Sequence, residues 1–474
     1  MASRKGGAAM DAPLPPGRTG AADGARPGAP SGTPGELLRL AGPVMVSRFG
    51  IMAMGVTDAI VVGRFSATEL GYHALGWSLT AVVLVGGIGL LLGTQVLTAR
   101  HRGAGRPERT GAVLQRGIGH ALLIGLVSTA ALLLLGPPAL RLALDPGLAE
   151  GAAAAMAIFA LSLTPYLVAD ALIFWFEAHE RPEKPAIALW LANGVNLVLA
   201  LWLVPGHSPF GVAGAVGAGW ATLGARTFLM LTLVLMLVAW RPARVYGAFR
   251  RHRPDPAEAR EQRRIGYAAG ASYVMEGGGF SLLNVVAGQI SALTVAAWAV
   301  VANVAAVVFM APLGLATATA VLVARAVGAR HPAGVTRAFR LGMGTALALL
   351  AAVSVLLFAG AGPLARLYTG DPGVLAILPA ALALGSLFYM ADGAQVVASS
   401  ALRARGDIWF PTILHAVSYI LVMLPLASVL AVALGLGLTG ILWAVIVASF
   451  VSAGALVWRF RALGDHMAEG IAHA

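Results

Sequence analysis

From Leu37 onward, stretches of about twenty or more predominantly apolar residues recur along the chain, and this pattern restricts the fold more than any motif does. Roughly 20 such residues are needed for a helix to cross the hydrocarbon core of a bilayer. Lipid offers no partner to backbone N–H and C=O groups, so helices and closed barrels are the structures that can span it. Barrel strands would alternate polar and apolar positions over about ten residues, whereas these runs are longer and apolar on every face. The chain is therefore read as an all-α integral membrane protein with about 12 transmembrane helices. Composition agrees: 58% of the 474 residues are apolar and 11% charged, against roughly a quarter charged in a soluble domain.

The expected helices cover 37–62, 72–99, 112–136, 151–177, 185–205, 212–240, 266–288, 292–324, 339–361, 375–402, 409–434 and 438–459. Arginines concentrate in alternate links. Arg100, Arg102, Arg106 and Arg109 follow the second helix, and eight arginines from Arg241 to Arg264 follow the sixth. Arg181 and Lys184 follow the fourth, Arg325, Arg330 and Arg337 the eighth, and Arg403 and Arg405 the tenth, whereas the other links hold only Arg64, Arg141 and Arg366. Basic short loops stay in the cytoplasm. Both termini are accordingly expected inside, in a multi-pass protein of the plasma (bacterial inner) membrane. The net charge of +12 is thus topological and does not indicate nucleic acid, whose binders gather basic residues on a folded polar surface. Residues 1–35, rich in Gly, Ala, Pro and Arg with no signal-peptide core, are expected as a disordered cytoplasmic tail, and 461–474 as a second cytoplasmic tail. Cysteine is absent, which excludes disulfides and thiolate metal sites.

The second half copies the first. A shift of 225 positions places Ile88-Gly89-Leu90 on Leu313-Gly314-Leu315, Ala99-Arg100 on Ala324-Arg325 and Gly103-Ala104 on Gly328-Ala329. A shift of 222 places Ala169-Asp170 on Ala391-Asp392. Two six-helix bundles, 36–240 and 266–460, joined by a basic linker at 241–265, would then run the same way through the membrane. That is the parallel-repeat plan of transporters, in which two pseudo-symmetric bundles enclose a central cavity.

An ionisable group at mid-bilayer costs about 2.5–3.5 kcal/mol on insertion scales, so each should face a cavity or a partner. Glu276 lies mid-helix beside three glycines, and Asp392 lies in Phe388-Tyr389-Met390-Ala391-Asp392-Gly393-Ala394-Gln395. A carboxylate with aromatic faces nearby suits an organic cation. Asp58 is close to the outer end of the first helix, where a solvated interfacial carboxylate stays open as a reading and position alone does not single it out. Asp170 and Arg226 are expected to relieve each other as an ion pair; Arg48 is a further charge inside the first helix. Asn193 and Asn196 can serve either as neutral cation ligands or as helix–helix hydrogen-bonding groups. His120 and His415 have no ligand-spaced partner and read as packing residues. Lys5 and Lys184 are the only lysines and no phosphate-binding GxxxxGK[S/T] occurs, so ATP hydrolysis by this chain is not expected. No cofactor and no clustered catalytic set is apparent, and the chain is not read as an enzyme.

Over about residues 36–460 these features resemble the MATE (multidrug and toxic compound extrusion) transporters. The similarity rests on Gly42-Pro43-Val44 with Gly55-Val56-Thr57-Asp58, on Gly89 to Gln95 and its copy Phe309 to Ala318, on Asn196 through Gly211 to Ala215, and on Glu276 and Asp392, which are similar to acidic residues of the NorM-type branch. Ala200 stands where the family has a second asparagine, and Asp170 departs from the family's usual fourth helix. The resemblance implies secondary efflux of cationic or amphipathic organic compounds, with Asp58, Glu276 and Asp392 lining a cavity that takes Na⁺ or H⁺ in exchange. Asn193, Asn196, Asp170, Phe388, Tyr389 and Gln395 are secondary candidates. Expected partners are small organic cations and lipid, without nucleic acid or ATP, in a monomer. A flippase for a lipid-linked saccharide is the nearest competing reading, kept open by Arg48 and Arg226, and an integral-membrane enzyme a more distant one.

Overall fold

A computed structural model describes residues 33–472 except Phe210, with side chains placed through Leu463. The expected tail at 1–35 lies outside the described residues except at its end, where Pro34 opens the first helix. The first half comprises α1 (Pro34–Phe65), α2 (Ala67–Gly103), α3 (Thr110–Ala143), α4 (Pro146–Leu161), α5 (Leu163–Ala178), α6 (Glu183–Leu203) and α7 (Gly214–Ala239). A short α8 (Pro242–Val245) leads to α9 (Pro256–Gly288), α10 (Ala292–Gly328), α11 (Pro332–Ala359), α12 (Ala361–Tyr368), α13 (Pro372–Gly385) and α14 (Phe388–Arg405). The chain ends through α15 (Trp409–His415), α16 (Leu424–Ala427) and α17 (Gly437–Ala472), with π-helical turns at Ala416–Met423 and Ser428–Ala433.

Helix starts follow local chemistry. Thr33, Ser66, Asp255 and Ser291 each accept a backbone N–H of the first turn, and Pro34 and Pro256 occupy first helical positions where their missing N–H costs nothing. Among the described residues ten helices are long and apolar enough to span, and α13 with α14, bent by 44°, makes an eleventh. The expected twelfth is α9. At 33 residues it exceeds the length of a span, but its glycines and Glu276 dilute its apolar content. Leu134, Leu142, Leu356 and Leu367 are among many exposed apolar side chains, the signature of a lipid-facing surface.

Several expected boundaries shift. The single helix expected at 151–177 is α4 and α5 with a break at Ser162, and that at 375–402 is α13 and α14 with a break at Ser386 and Leu387. In both breaks the serine hydroxyl donates to the carbonyl three residues back, at 2.6 and 2.7 Å, satisfying a local acceptor within the protein. The linker expected at 241–265 is shorter, because α9 already begins at Pro256.

Arginines assigned to loops also prove partly structural. Arg100 and Arg325 lie in the last turns of α2 and α10. Arg100 reaches Glu261 of α9 at 2.7 Å, and Arg325 reaches Glu36 of α1 at 2.6 Å. The two pairs are related by the 225-residue shift in both members, and each joins one half to the other. Between them the helices touch backbone to backbone. A methyl group on Gly103 would collide with the Arg325 carbonyl, and one on Gly328 with the Arg100 carbonyl. The same symmetry recurs deeper in the bilayer, where Gly89 meets Gly270 and Gly314 meets Met45. Such small-residue crossings let membrane helices gain dispersion contact where no hydrophobic drive exists. The apolar core shared by the halves, formed by α1, α2, α9, α10 and α14 around Leu40, Leu97, Ala268, Leu322 and Ala401, clusters at this arginine-rich end. Separate cores fill the interiors of the two halves.

At the same end Glu180 receives Arg102 at 3.0 Å and Arg325 at 2.5 Å. Burial pushes its carboxyl up, but the two guanidiniums outweigh that and hold it below the usual range. In the first turn of α9, Glu258 bonds His101 and Arg116. The His101 hydrogen bond, with Arg116 and against some burial, lowers its carboxyl from 4.5 to about 2.

Two expectations follow. Gly103→Ala and Gly328→Ala should each cost about 1–3 kcal/mol by forcing the crossing apart, seen as a lower unfolding midpoint of the purified protein. Gly119→Ala, whose methyl meets nothing within 4 Å, should stay within about 0.5 kcal/mol; equal midpoints for all three would refute the close crossing. Because the Glu258 carboxyl is depressed in the folded protein, its contribution is present above pH 4.5 and is lost as pH falls toward about 2. Glu258→Gln should flatten stability over that window, and an unchanged acid profile would show that the contact is not made.

Candidate functional site

Glu276, at the middle of α9, and Asp392, one turn into α14, converge on one amide. The Gln395 side-chain nitrogen donates to Asp392 Oδ1 at 2.9 Å and to Glu276 Oε1 at 3.1 Å, so those two carboxylate oxygens lie at most 6.0 Å apart. Gln395 also bonds the Tyr419 hydroxyl, which itself lies 3.4 Å from Glu276 Oε1. Ser452 of α17 donates to the Gln395 carbonyl oxygen at 2.8 Å and fixes the amide's orientation. One amide with two N–H groups therefore serves three oxygens.

The chain's local irregularities assemble this group. The bend between α13 and α14 aims the first turns of α14 inward, and the π-helical turn at Ala416–Met423 carries Tyr419. Extra residues of this kind re-aim side chains within a helix. The three glycines after Glu276 divide the work. A methyl on Gly277 or Gly278 would meet nothing within 4 Å, whereas one on Gly279 would press on Tyr419 Cβ at 3.1 Å. Glu276 is thus open on one side and packed on the other, with 14% of its side chain exposed.

His415 belongs to this group although it read as a packing residue. Its Nδ1 is 2.9 Å from Ser272 Oγ and 3.9 Å from Glu276 Oε2. Arg403, expected in a loop, is wholly buried and donates to the same Ser272 oxygen at 2.6 Å. In sequence it looks like a loop residue, two positions before Arg405 at the end of an apolar run. Phe388 and Tyr389 meet at a tilt of 50°, with ring centroids 4.6 Å apart in the second-half core; the aromatic ring bonded into the carboxylate group is Tyr419.

Asp58 occupies a second nest, built wholly from the first half. Asn196 of α6 donates to its Oδ1 at 3.1 Å and Thr222 of α7 to its Oδ2 at 2.6 Å. Asn193 does not join them. It donates to the Gly50 and Leu189 carbonyls at 3.0 and 2.9 Å, the helix-bridging alternative. The structure thus brings Glu276, Asp392 and Gln395 together, and separately Asp58 and Asn196, in place of one lining shared by three carboxylates. Thr222 had no sequence signal, since a threonine in an apolar helix is ordinary.

The expected Asp170–Arg226 ion pair is not formed. Arg226 donates to Ser162 at 2.8 Å and stacks on Tyr166 and Trp77, 4.8 and 5.2 Å from the ring centroids. Both Asp170 oxygens are buried without a hydrogen-bond partner. The buried pair that does form joins Arg48 to Glu177 at 3.2 Å, with Gln95 donating to Glu177 at 2.8 Å. Glu177 lies in the last turn of α5, about two turns beyond Asp170.

Two carboxylates so close repel unless a proton or cation lies between them. Among the described residues no group of three or more His, Asp or Glu side chains could hold a metal ion. A cation here would meet two carboxylates and the Tyr419 hydroxyl, hard oxygens unsuited to a transition metal, while the Gln395 carbonyl is engaged by Ser452.

The MatE family model matches the chain twice, over residues 43–202 and 269–429. The chain is 51% identical over 430 residues to a protein of Caulobacter vibrioides named "Probable multidrug resistance protein NorM", covering 90% of this chain and 91% of that one. It is 33% identical over 447 residues to a Bradyrhizobium diazoefficiens protein of the same name, covering 91% and 94%. Its fold is similar, with a TM-score of 0.85 and 20% identity over 93% of this chain and 98% of the other, to a structure described as the outward-facing conformation of a multidrug resistance MATE family transporter of the MOP superfamily.

Gln395→Leu should cost about 1–3 kcal/mol of stability, because it strips hydrogen bonds from buried charged and hydroxyl groups at once. An unchanged unfolding midpoint would mean that these carboxylates do not depend on the amide.

Proposed function

The chain belongs to the MatE family, and from that premise we propose that it is a secondary multidrug exporter, moving organic cations out of the cell in exchange for H⁺ or Na⁺. The observation that carries this reading is the convergence of Glu276 and Asp392 on the single amide of Gln395, beside the open face of Gly277 and Gly278. A proton, a sodium ion or a cationic substrate each relieves the same repulsion, so one occupant displaces another. Desolvation makes the exchange strict, since a carboxylate held in a low-dielectric site cannot stay uncompensated. Asp58 with Asn196 and Thr222 forms a second cation-responsive nest in the other half. Occupation of either nest drives transport to the extent that the two bundle arrangements bind the occupant differently.

Direction follows from the ends. The shared apolar core and the pairs Arg100–Glu261 and Arg325–Glu36 keep the arginine-rich end shut. Placing that end in the cytoplasm by its basic loops leaves the opposite end for release. Inward passage of one positive charge contributes about 2.3 kcal/mol per 100 mV, so no nucleotide hydrolysis is required. The protein then lies in the bacterial inner membrane with both termini inside, and acts as a monomer. A lipid-saccharide flippase is not favoured. Its anionic headgroup would call for free guanidiniums, yet Arg48 is bound to Glu177 and Arg226 is stacked between two aromatic rings.

In proteoliposomes, Glu276→Gln and Asp392→Asn should each abolish substrate-driven ion flux and lower exchange at least tenfold, with normal insertion of the protein. Comparing separately imposed sodium and proton gradients identifies the ion. Undiminished exchange in both variants would overturn the reading.

A further inference from the structure

α5 presents Tyr166, Asp170, Phe174 and Glu177 on one face, at spacings of three to four residues. The Arg48 guanidinium of α1 lies over the middle of that face, 5.9 Å from the Phe174 ring. It gives one nitrogen to Glu177 and leaves its Nε buried without an acceptor. Asp170, at 0% exposure, keeps both oxygens without a donor, and the Tyr166 hydroxyl beside it is likewise unpartnered.

The charges in this half do not balance. Among the described residues its deeply buried acids are Asp58, Asp170 and Glu177 and its buried guanidiniums are Arg48 and Arg226, beside the buried imidazoles of His73, His101 and His179. With the acids and guanidiniums ionised, one negative charge remains inside the membrane, which low-dielectric surroundings oppose strongly. One proton removes it. Asp58 already receives Asn196 and Thr222, and Glu177 receives Arg48 and Gln95. Asp170 receives nothing, so it is where the proton costs least.

We propose that Asp170 is a proton-binding site, separate from the carboxylates assigned to exchange, and that its charge is read by Arg48. When the carboxyl O–H bond breaks, the proton passes to water admitted as the halves move. The remaining carboxylate then offers the Arg48 Nε the acceptor it lacks and draws α1 along α5. The groups facing Asp170 are Arg48 from α1, Tyr166 and Glu177 from its own helix and Tyr273 from α9, with Arg226 of α7 acting on Tyr166. Tyr273 in turn lies under Arg403, 6.0 Å from its ring, so the site adjoins the second-half group. The shift of 222 lays Asp170 on Asp392 in sequence, whereas the starts of α5 and α14, Leu163 and Phe388, lie 225 apart and lay it on Gln395, so in either register it falls on a member of the exchange site. Proton binding stands by itself; its effect on transport rests on the exporter reading.

Infrared spectra of the full-length protein in lipid, with and without carboxyl-labelled aspartate, test the binding at neutral pH. Asp170→Asn should remove a protonated-carboxyl carbonyl band and leave the carboxylate bands unchanged, and Asp170→Glu should restore an unlabelled band nearby. Loss from the carboxylate region, or no difference at all, would overturn the proposal. An unfolding midpoint equal to that of the parent is expected for Asp170→Asn, since an amide mimics the neutral acid; a strong loss would point to an ionised Asp170 and count against it. For the link to Arg48, the absence of cysteine makes Val46→Cys and Leu123→Cys unique, exposed labelling sites on α1 and α3. The distance between spin labels there should change with pH, and Asp170→Asn should hold it at the low-pH value. A distance that ignores pH, or titrates alike with and without Asp170, would refute the coupling. Because neither measurement requires transport, failure of the exporter reading would not be mistaken for failure of this one.

Discussion

Inside a bilayer the protein must supply every polar partner itself, and the arrangement of this molecule follows from that requirement. The backbone meets it by forming helices from Pro34 onward. Side chains meet it by gathering. Glu276 and Asp392 share Gln395, Asp58 takes Asn196 and Thr222, and Glu177 takes Arg48 and Gln95. None of these sets lies on one helix. Each therefore ties the position of a charge to the relative placement of two or three helices.

The two halves repeat a scaffold without repeating its chemistry. Backbone crossings obey the 225-residue shift closely, as in Gly103 against Arg325 and Gly328 against Arg100. The mid-membrane groups do not. Where α9 presents Glu276, α1 has Ile51 at the equivalent position and Arg48 one turn earlier. The second half consequently gathers its acids around a neutral amide, and the first mixes acids with guanidiniums. A repeated scaffold explains why both halves bend at a serine, at Ser162 and Ser386, and place an aspartate shortly afterwards.

The arginine-rich end combines packing with charge. Its ion pairs are partly exposed and each is worth little by itself, about 0–1 kcal/mol. The glycine crossings and the shared apolar core beneath them supply most of the cohesion. Pairs of that strength can hold a closed end and still release it, which suits an element that has to open in every cycle.

The sequence alone determined the all-helical membrane architecture and the repeat, and it marks Glu276, Asp392 and Asp58 as acids within apolar runs. It could do so because lipid imposes a one-dimensional rule: length and apolarity decide a span, and any acid within it stands out. Partners were a different matter. Gln395, Tyr419 and Ser452 lie on three separate segments, and an amide, a phenol and a hydroxyl carry no signal in an apolar run until folding brings them within 3.5 Å of each other or of an acid. The same holds for Arg403 and His415, one taken for a loop residue and the other for packing. Asp170 was matched with Arg226 on the strength of opposite charge and similar depth, yet Arg226 found Ser162 and two aromatic rings. Depth is legible in sequence, whereas the direction a side chain takes around its helix, and the neighbour it meets there, is settled by how helices cross.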